Sequence, residues 1–278
     1  MNDLSDGGRC ISVVDPSQAH SGRVHDFLLG GKDHYMSDWK LGQALRAECP
    51  DFAKVVTDVR AFLLRAVRSA VEAGVLQFLE LGCGYPCSPN VHEVVTAVAP
   101  DSYTLYVDSD PVVVVHQQAM LSKIAGADIV CADLTDTGRI LKELESRMDL
   151  GAPVAISLSF VLELIADPSV VVETLVGALS PGSHVVISHL GCDSGAELAV
   201  RAAEIYGMHG IEVFPRTRAA IAELLGDCGL VELEPGIVPP HRWRSSIAEV
   251  NHMQRRSSTA TTYLSEEWSC YTVVGLVV

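Results

Sequence analysis

From residue 76 onward the chain changes rhythm, and that change constrains the fold more than any other feature. Short apolar runs recur at 76–81, 103–107, 127–131, 153–158 and 184–188, each followed closely by glycine, aspartate or serine. Between them lie stretches of helical character at 89–99, 111–124, 136–147, 168–179 and 194–206. Nearly continuous apolar strands alternating with helices signal a parallel sheet buried on both faces. Ligands of such sheets bind beyond the carboxyl ends of the strands, so the loops after each run are where chemistry is expected. A helix at 217–226, a strand at 230–233 and a strand-like 270–278 follow. The polar stretch 245–267 reads as an excursion before the last strand, not as a domain.

The first 75 residues read differently. Residues 1–15 form an arm, and a short helix over Arg23–Leu29 stops at Gly30-Gly31, which supply the usual C-terminal punctuation. A second helix over 36–48 ends before Pro50. A third carries Val55, Val59, Phe62, Leu63, Ala66, Val67 and Ala70 at three- and four-residue spacing. The expected organisation is an arm and helical cap over 1–75 and a ligand-binding domain over 76–278.

Composition narrows the function classes. The 278 residues are 48% hydrophobic, with Lys+Arg 20 against Asp+Glu 35 and a formal charge of −15. That field repels a phosphate backbone, so no nucleic-acid partner is expected. No apolar run reaches the ~20 residues of a membrane helix, and the N-terminus does not read as a secretory signal. A cytoplasmic chain is expected, with a homodimer as one option for its apolar N-terminal helices. The eight cysteines, at 10, 49, 83, 87, 131, 192, 228 and 270, have no metal or framework spacing. They read mostly as small buried hydrophobes in a reducing compartment, and no metal site is expected.

The first run leads into Glu80-Leu-Gly-Cys-Gly-Tyr-Pro86. Gly82 and Gly84, around Cys83, permit a sharp turn and close approach of a ligand. Asn90 and Glu93 have the spacing of a capping box. Asp108 ends the second strand, where a carboxylate accepts both hydroxyls of a ribose. Glycine turn and acid together imply a nucleoside-containing cofactor. The dinucleotide fingerprint lacks its third glycine, because position 87 is cysteine. Gly30-Gly31-Lys32 fails as a P-loop, and His92-Glu93 lacks the second histidine of a zincin. S-adenosyl-L-methionine remains, with an oxidoreductase using NAD(P) as the alternative. Asp133, after the third strand, would accept from the adenine amino group or else cap the turn at Thr135. Ser109, Leu134 and Ser157 lie on the same loops. The turn Ser157–Phe160 should face the methyl group, with Phe160 as substrate wall or core packing.

Several blocks resemble an actinobacterial family of S-adenosylmethionine-dependent methyltransferases: Arg23-Val-His-Asp-Phe-Leu-Leu-Gly-Gly-Lys-Asp-His-Tyr35, Phe78–Gly84, Asn90-Val-His-Glu93, Tyr106–Pro111 and Arg242-Trp-Arg244. The resemblance covers about residues 16–278. It implies a Rossmann-like, seven-stranded, mostly parallel methyltransferase sheet with helices on both faces and the last strand antiparallel. It also implies methylation of a small secondary metabolite, in its sharpest form the indole C3 of a tryptophan-containing cyclic dipeptide, giving a pyrroloindoline. An O- or N-methyltransferase of another metabolite is the alternative. The Cys83-Gly-Tyr-Pro-Cys87 segment departs from the small or polar residues expected there but keeps the glycines.

Methyl transfer is an in-line displacement that needs alignment and exclusion of water. Closure of a pyrroloindoline also releases a proton, for which a general base is expected. The candidates are His34 and Tyr35 from the cap, Glu163 after the fourth strand and His189 after the fifth, with Asp33 a further option. Lys32 and Asp33 would form a lid over the cofactor, and Trp243 would wall a neutral aromatic substrate. Loop hydrogen bonds or helix caps are the alternative for each.

Overall fold

The computed structural model describes residues 14–193, 196–244 and 269–278. Strands β1 (Gln77–Leu81), β2 (Tyr103–Asp108), β3 (Ala127–Cys131), β4 (Val154–Ser159), β5 (His184–Leu190), β6 (Leu230–Glu232) and β7 (Cys270–Val277) form one sheet in the order β3-β2-β1-β4-β5-β7-β6. The strands from β1 to β5 pair in parallel, while β7 runs antiparallel to both β5 and β6. Order reverses between β1 and β4, which puts the topological switch point at the loops after those two strands.

Alternation along each strand sorts side chains to the two faces. Leu79, Leu81, Leu105, Val107, Ile156 and Leu158 meet α6 (Thr137–Arg147), α7 (Ser169–Val176) and α9 (Arg218–Asp227) on one side. Phe78, Tyr106, Ile129, Ala155 and Val186 meet α3 (Phe52–Glu72), α4 (Val91–Thr96) and α5 (Pro111–Leu121) on the other. Burial on both faces is why these strands read as unbroken apolar runs. The predicted box at α4 forms: the Asn90 N–H donates to Glu93 Oε2 at 2.5 Å.

A third cluster sits at the carboxyl end of the sheet. It joins α1 (Ser21–Leu28), α2 (Met36–Glu48), the first two turns of α3 and α8 (Glu197–Met208) around Phe27, Leu41, Phe52, Val56, Phe160 and Tyr206. Helix α3 therefore serves two cores. Val56 and Val59 hold the cap, whereas Phe62 through Val71 cover the sheet.

The cysteines divide. Cys49 and Cys270 are buried thiols, Cys83, Cys87 and Cys228 are half-buried, and Cys192 is exposed. These six are free thiols, in keeping with the expectation that most of the cysteines are reduced; Cys131 is an exception, being disulfide-bonded. Cys10, most of the arm and the 245–267 stretch lie outside the described residues. No described helix is long and apolar enough to cross a membrane.

Candidate active site

The turn after β1 is built for close approach. Gly82 has φ +65°, and a Cβ there would lie 2.3 Å from Val161 Cγ1. Gly84 has φ +64° with open space where a Cβ would project. Its N–H donates to Asp108 Oδ2 at 2.9 Å, while the Asp110 N–H donates to Asp108 Oδ1 at 2.9 Å. One buried carboxylate thus ties the glycine turn to the β2 loop. Burial raises the Asp108 pKa, with the nearby His20 and the two N–H donors working against it. Arg60 braces the same turn from α3. It bonds Glu80 Oε1 at 3.2 Å and the carbonyls of Cys87 and Pro89, each at 2.9 Å.

A second buried guanidinium fixes the cap to this end of the sheet. Arg23 donates to Asp38 Oδ2 at 3.0 Å, Asp110 Oδ2 at 2.8 Å and the Gln18 carbonyl at 2.8 Å. Arg23, Asp38 and Asp110 are all nearly inaccessible to solvent. Charges so buried persist only when paired and hydrogen-bonded. Asp110 also caps α5 by accepting from the Val112 N–H, with Pro111 at the first turn. The network therefore links α1, α2 and the β2–α5 loop.

Two cavities open between cap and sheet. The first, of about 250 Å³, is lined by Asp108, Ser109, Asp133, Leu134 and Thr135 on one side and by His20 and Ser21 on the other. The second, of about 160 Å³, is bounded by Leu29, Val56, Val59, Leu63, Tyr85 and the 82–87 turn. Gly22, His25, Gly82, Ser159 and Phe160 belong to both linings. These residues mark the junction at which a ligand in one cavity would face a ligand in the other. Ser159 Oγ is buried there without a partner. Phe160 holds φ +53°, rare for a bulky side chain. Its N–H donates to Ser188 Oγ at 3.1 Å and its ring meets His25 edge-on at 5.2 Å.

The predicted site residues separate accordingly. Gly82, Asp108, Ser109, Asp133 and Leu134 line the first cavity, and Gly82, Cys83 and Gly84 line the second. Asp133 Oδ1 also accepts from the Thr135 N–H at 2.8 Å, so the ligand and turn roles coexist. Ser157 is corrected: it lies inside the sheet, its hydroxyl 3.4 Å from the Leu79 carbonyl, and Ser159 takes its place at the cavity. Position along the strand is the reason: Ser157 and Ser159 share a face of β4, but Ser157 lies two residues inside it and only Ser159 is at its end.

Lys32, Asp33, His34 and Tyr35 lie outside both linings. The Asp33 N–H and His34 Nδ1 engage Asp26 Oδ2 at 2.9 and 3.2 Å, and the Tyr35 N–H donates to Asp38 Oδ2 at 2.7 Å. His189 is corrected as a base. Its Nε2 accepts from Arg216 at 2.7 Å, so Nδ1 carries the proton and donates to the Leu190 carbonyl at 2.9 Å. Both nitrogens are engaged in the core, and burial lowers its pKa to about 4. Trp243 is also corrected as a substrate wall. It is fully buried against Phe62 and the far face of the sheet, because Arg65 draws in the carbonyls of Trp243 and Pro240. Glu163 is buried just behind Phe160.

The residues missed by sequence reasoning are His25, Glu80 and Arg60; Ser159 lay inside the turn expected to face the methyl group. Helical spacing offered a signal for His25, which sits one position before Asp26 and one turn after Gly22 in the quoted cap block. Burial lowers its pKa to about 4, aided by the nearby His20, so at neutral pH it is an uncharged imidazole. No cluster of metal-ligating side chains occurs among the described residues.

Comparison with known proteins agrees with this architecture. The family model described as S-adenosyl methyltransferase matches residues 9–267. A DUF574 family protein from Streptomyces avermitilis is 32% identical, with 95% of this chain and 99% of that chain covered and a TM-score of 0.85. A protein from Thermobifida fusca held to be a methyltransferase is also 32% identical, covering 94% and 96% at TM-score 0.83. The plantazolicin methyltransferase BpumL, solved with a substrate analogue and SAH, is 14% identical, covers 92% and 95% at TM-score 0.54, and shares the fold alone. No curated protein sequence matches. Glycine turn, buried acid at the end of β2 and sheet order thus meet in one assignment, which sets the nicotinamide alternative aside: the chain belongs to the S-adenosyl methyltransferase family and is an S-adenosylmethionine-dependent enzyme with the class I methyltransferase fold.

Proposed function

We propose that this enzyme methylates a neutral aromatic small molecule, in the sharpest form the indole C3 of a tryptophan-containing cyclic dipeptide. The observation that carries this reading is the character of the second cavity. Its walls are aliphatic and aromatic, and each charged group on it already has a partner. Arg60 faces Glu80, and Asp26 accepts from Asp33 and His34. An ionic substrate would find no free counter-charge, and burying it unpaired is costly. A flat apolar ring meets no such penalty.

The residues fit the cofactor. The unpartnered Ser159 hydroxyl, the open face of Gly84 and the Asp108 carboxylate are the polar features such a ligand would use. Asp108 would hold the ribose, Asp133 and Leu134 the adenine, and the 82–84 turn the amino-acid end. When bound, S-adenosylmethionine supplies an electrophilic methyl group on a sulfonium. The chain's own contribution is positional: His25, Ser159 and Phe160 bring the acceptor to the junction, and the Arg23 network keeps the cap closed against water. Of the segment expected as arm and cap, the described residues from 14 to 75 act here as the cap of a single unit. The exposed Met36 and Trp39 on α2, with Tyr35 just before it, support a dimer contact, which sedimentation would test.

The deciding experiment incubates the protein with methyl-labelled S-adenosylmethionine and a panel of tryptophan-containing cyclic dipeptides. Label at an indole carbon is the expected result. An unlabelled panel rejects the indole assignment; label on hydroxy- or amino-aromatics of similar size would then replace it with O- or N-methylation.

A further inference from the structure

Behind Phe160 lies a third space, of only about 10 Å³, lined by Ser21, His25, Phe52, Phe160, Glu163, Leu164, Leu190, Tyr206 and Val213. It shares His25 and Phe160 with both larger cavities. Two polar side chains face inward from its far side. Glu163 is 2% exposed and neither carboxyl oxygen makes a well-aligned hydrogen bond. Tyr206 is 3% exposed and its hydroxyl is likewise without a partner. Leaving such groups buried without well-aligned partners is costly, more so for a charge. A cost of that kind at the edge of an active site asks for a use.

Size decides what the use is. A space of about 10 Å³ admits roughly one water and no part of an aromatic ring. Its polar walls serve protons rather than a bound ligand. The neighbouring Arg216 does not neutralise Glu163, because its guanidinium is committed to the carbonyls of Leu162, Phe214, Ile165 and Ala166 and to His189. The remaining titratable neighbours are Tyr206 from α8 and Cys270 from β7, both held neutral by burial, and His25 from α1.

We propose that His25 takes the proton released by the methyl acceptor at the cavity junction and passes it to Glu163 through this inner chamber. The bond from acceptor to methyl forms as the methyl–sulfur bond breaks and sulfur keeps the electron pair. The acceptor then sheds one proton, from its N–H, O–H or ring-closing amide. His25 is the catalytic group in this scheme, and Glu163 is a positioning residue that acts through it. The proposal rests on the methyltransferase activity and not on the indole assignment.

The pKa directions agree with a downhill path. His25 is depressed to about 4 by burial, so once protonated it gives up the proton readily. Glu163 is raised to about 8, chiefly by burial, with the backbone N–H groups of Glu163 and Leu190 and the charge of Arg216 only partly offsetting it. The carboxylate form is the acceptor, so turnover should rise with pH as Glu163 ionises.

The test uses the full chain saturated with S-adenosylhomocysteine. Imidazole NMR of the histidine-labelled protein, assigned with His25→Gln, follows the His25 ring from pH 6 to 10. The wild-type ring should shift in one step near pH 8, reporting Glu163, and Glu163→Gln should abolish that step while still binding S-adenosylhomocysteine. No step in the wild type, or a step that persists in Glu163→Gln, overturns the proposal. With any acceptor that takes label, wild-type kcat should climb about tenfold between pH 7 and 9, the change expected for a base of this pKa. Glu163→Gln should be flat over that range, and Glu163→Asp should recover part of the slope. A sloping Glu163→Gln profile overturns the relay. If no acceptor is labelled, the substrate reading fails while the NMR titration still decides the relay.

Discussion

The loops after β1, β2 and β3 and the loops after β4 and β5 sit at the same edge of one sheet, yet they treat polar groups in opposite ways. On the first side each acid holds backbone: Asp108 takes the N–H groups of Gly84 and Asp110, and Asp133 takes that of Thr135. On the second side one cluster is saturated, Arg216 with His189 and the carbonyls around it, while next to it the Ser159 and Tyr206 hydroxyls have no partner and the Glu163 carboxyl has no well-aligned one. The difference separates binding from reaction. A cofactor wants a rigid, preorganised cradle, whereas a reacting group needs spare hydrogen-bonding capacity. Substitutions at five positions probe that division.

The largest effect at neutral pH should come from Arg216→Ala. It strips donors from the carbonyls of Leu162, Phe214, Ile165 and Ala166 and from His189 Nε2. Buried acceptors left without donors cost about 1–3 kcal/mol each when nothing replaces them. Water entry will reduce the sum, and a loss of about 3–5 kcal/mol is expected in denaturant unfolding. Arg216→Lys should recover little, because an ammonium cannot span a planar fork of this kind. A loss below about 1 kcal/mol would mean that this half of the edge does not depend on the clamp.

Next is the pH dependence of stability through Glu163. Its folded pKa is raised from 4.5 to about 8. The unfolded chain therefore releases the proton first, and stability present below pH 4.5 is lost as pH rises through 8. At about 1.4 kcal/mol per pH unit the full loss between pH 4.5 and 8 is on the order of 4–5 kcal/mol. Glu163→Gln should remove it, making the variant more stable than wild type above pH 8 and nearly equal to it at pH 5. The neutral His25 and His189 work in the opposite direction, since their pKa values are depressed to about 4. They contribute stability above pH 6.5 that is lost as pH falls toward 4. Thermal melts across pH 4–9 would resolve both limbs, and an unchanged alkaline limb in Glu163→Gln would remove Glu163 as its cause.

The third substitution, Asp108→Asn, tests the other half. It keeps the shape but removes the charge that accepts from the glycine turn and faces the first cavity. Weakening of S-adenosylhomocysteine binding by about 1–3 kcal/mol is expected by calorimetry, with little change in the pH slope of turnover. Unchanged affinity would take Asp108 out of the ribose site. If affinity and pH slope fell together, binding and reaction would not be separable between the two sides.

How much of this was legible in the sequence follows the same division. The β1–β3 side was readable because its chemistry is local. A glycine turn, an acid at a strand end and a capping box each lie within a few residues of the structure they make. The β4–β5 side depends on contacts far apart in the chain. Glu163 faces Tyr206 from α8 and His25 from α1, and Arg216 reaches back to Leu162. Nothing about His189 as a sequence position reveals that a guanidinium 27 residues later will occupy its Nε2. Trp243 failed for the same reason, since Arg65 on α3 draws its loop to the opposite face. Ser157 failed on where the strand ends, since β4 runs on to Ser159 before the chain turns.

The smallest effect concerns the cap loop, where sequence and structure differ most quietly. Lys32 is exposed and lies outside both cavity linings, so Lys32→Ala should change stability by less than about 0.5 kcal/mol. As a lid, however, the ammonium would act on the cofactor's carboxylate once the loop closes, and through a screened charge its contribution would be about 0.3–1 kcal/mol at low salt. That is a two- to fivefold rise in the S-adenosylhomocysteine dissociation constant for the variant, vanishing by 0.5 M salt. Gly31→Ala offers an independent check on the same loop. A Cβ there would lie 1.8 Å from Asp26 Oδ1, so Asp26 must move and release the Asp33 N–H and His34 that it holds. If Gly31→Ala weakens cofactor binding while Lys32→Ala does not, the loop matters for its shape and the lysine is a solvated side chain. If both weaken it, and only the lysine effect is screened by salt, the cap contributes a charge as well as a wall, and the binding half of the site extends beyond the β1–β3 loops into α1.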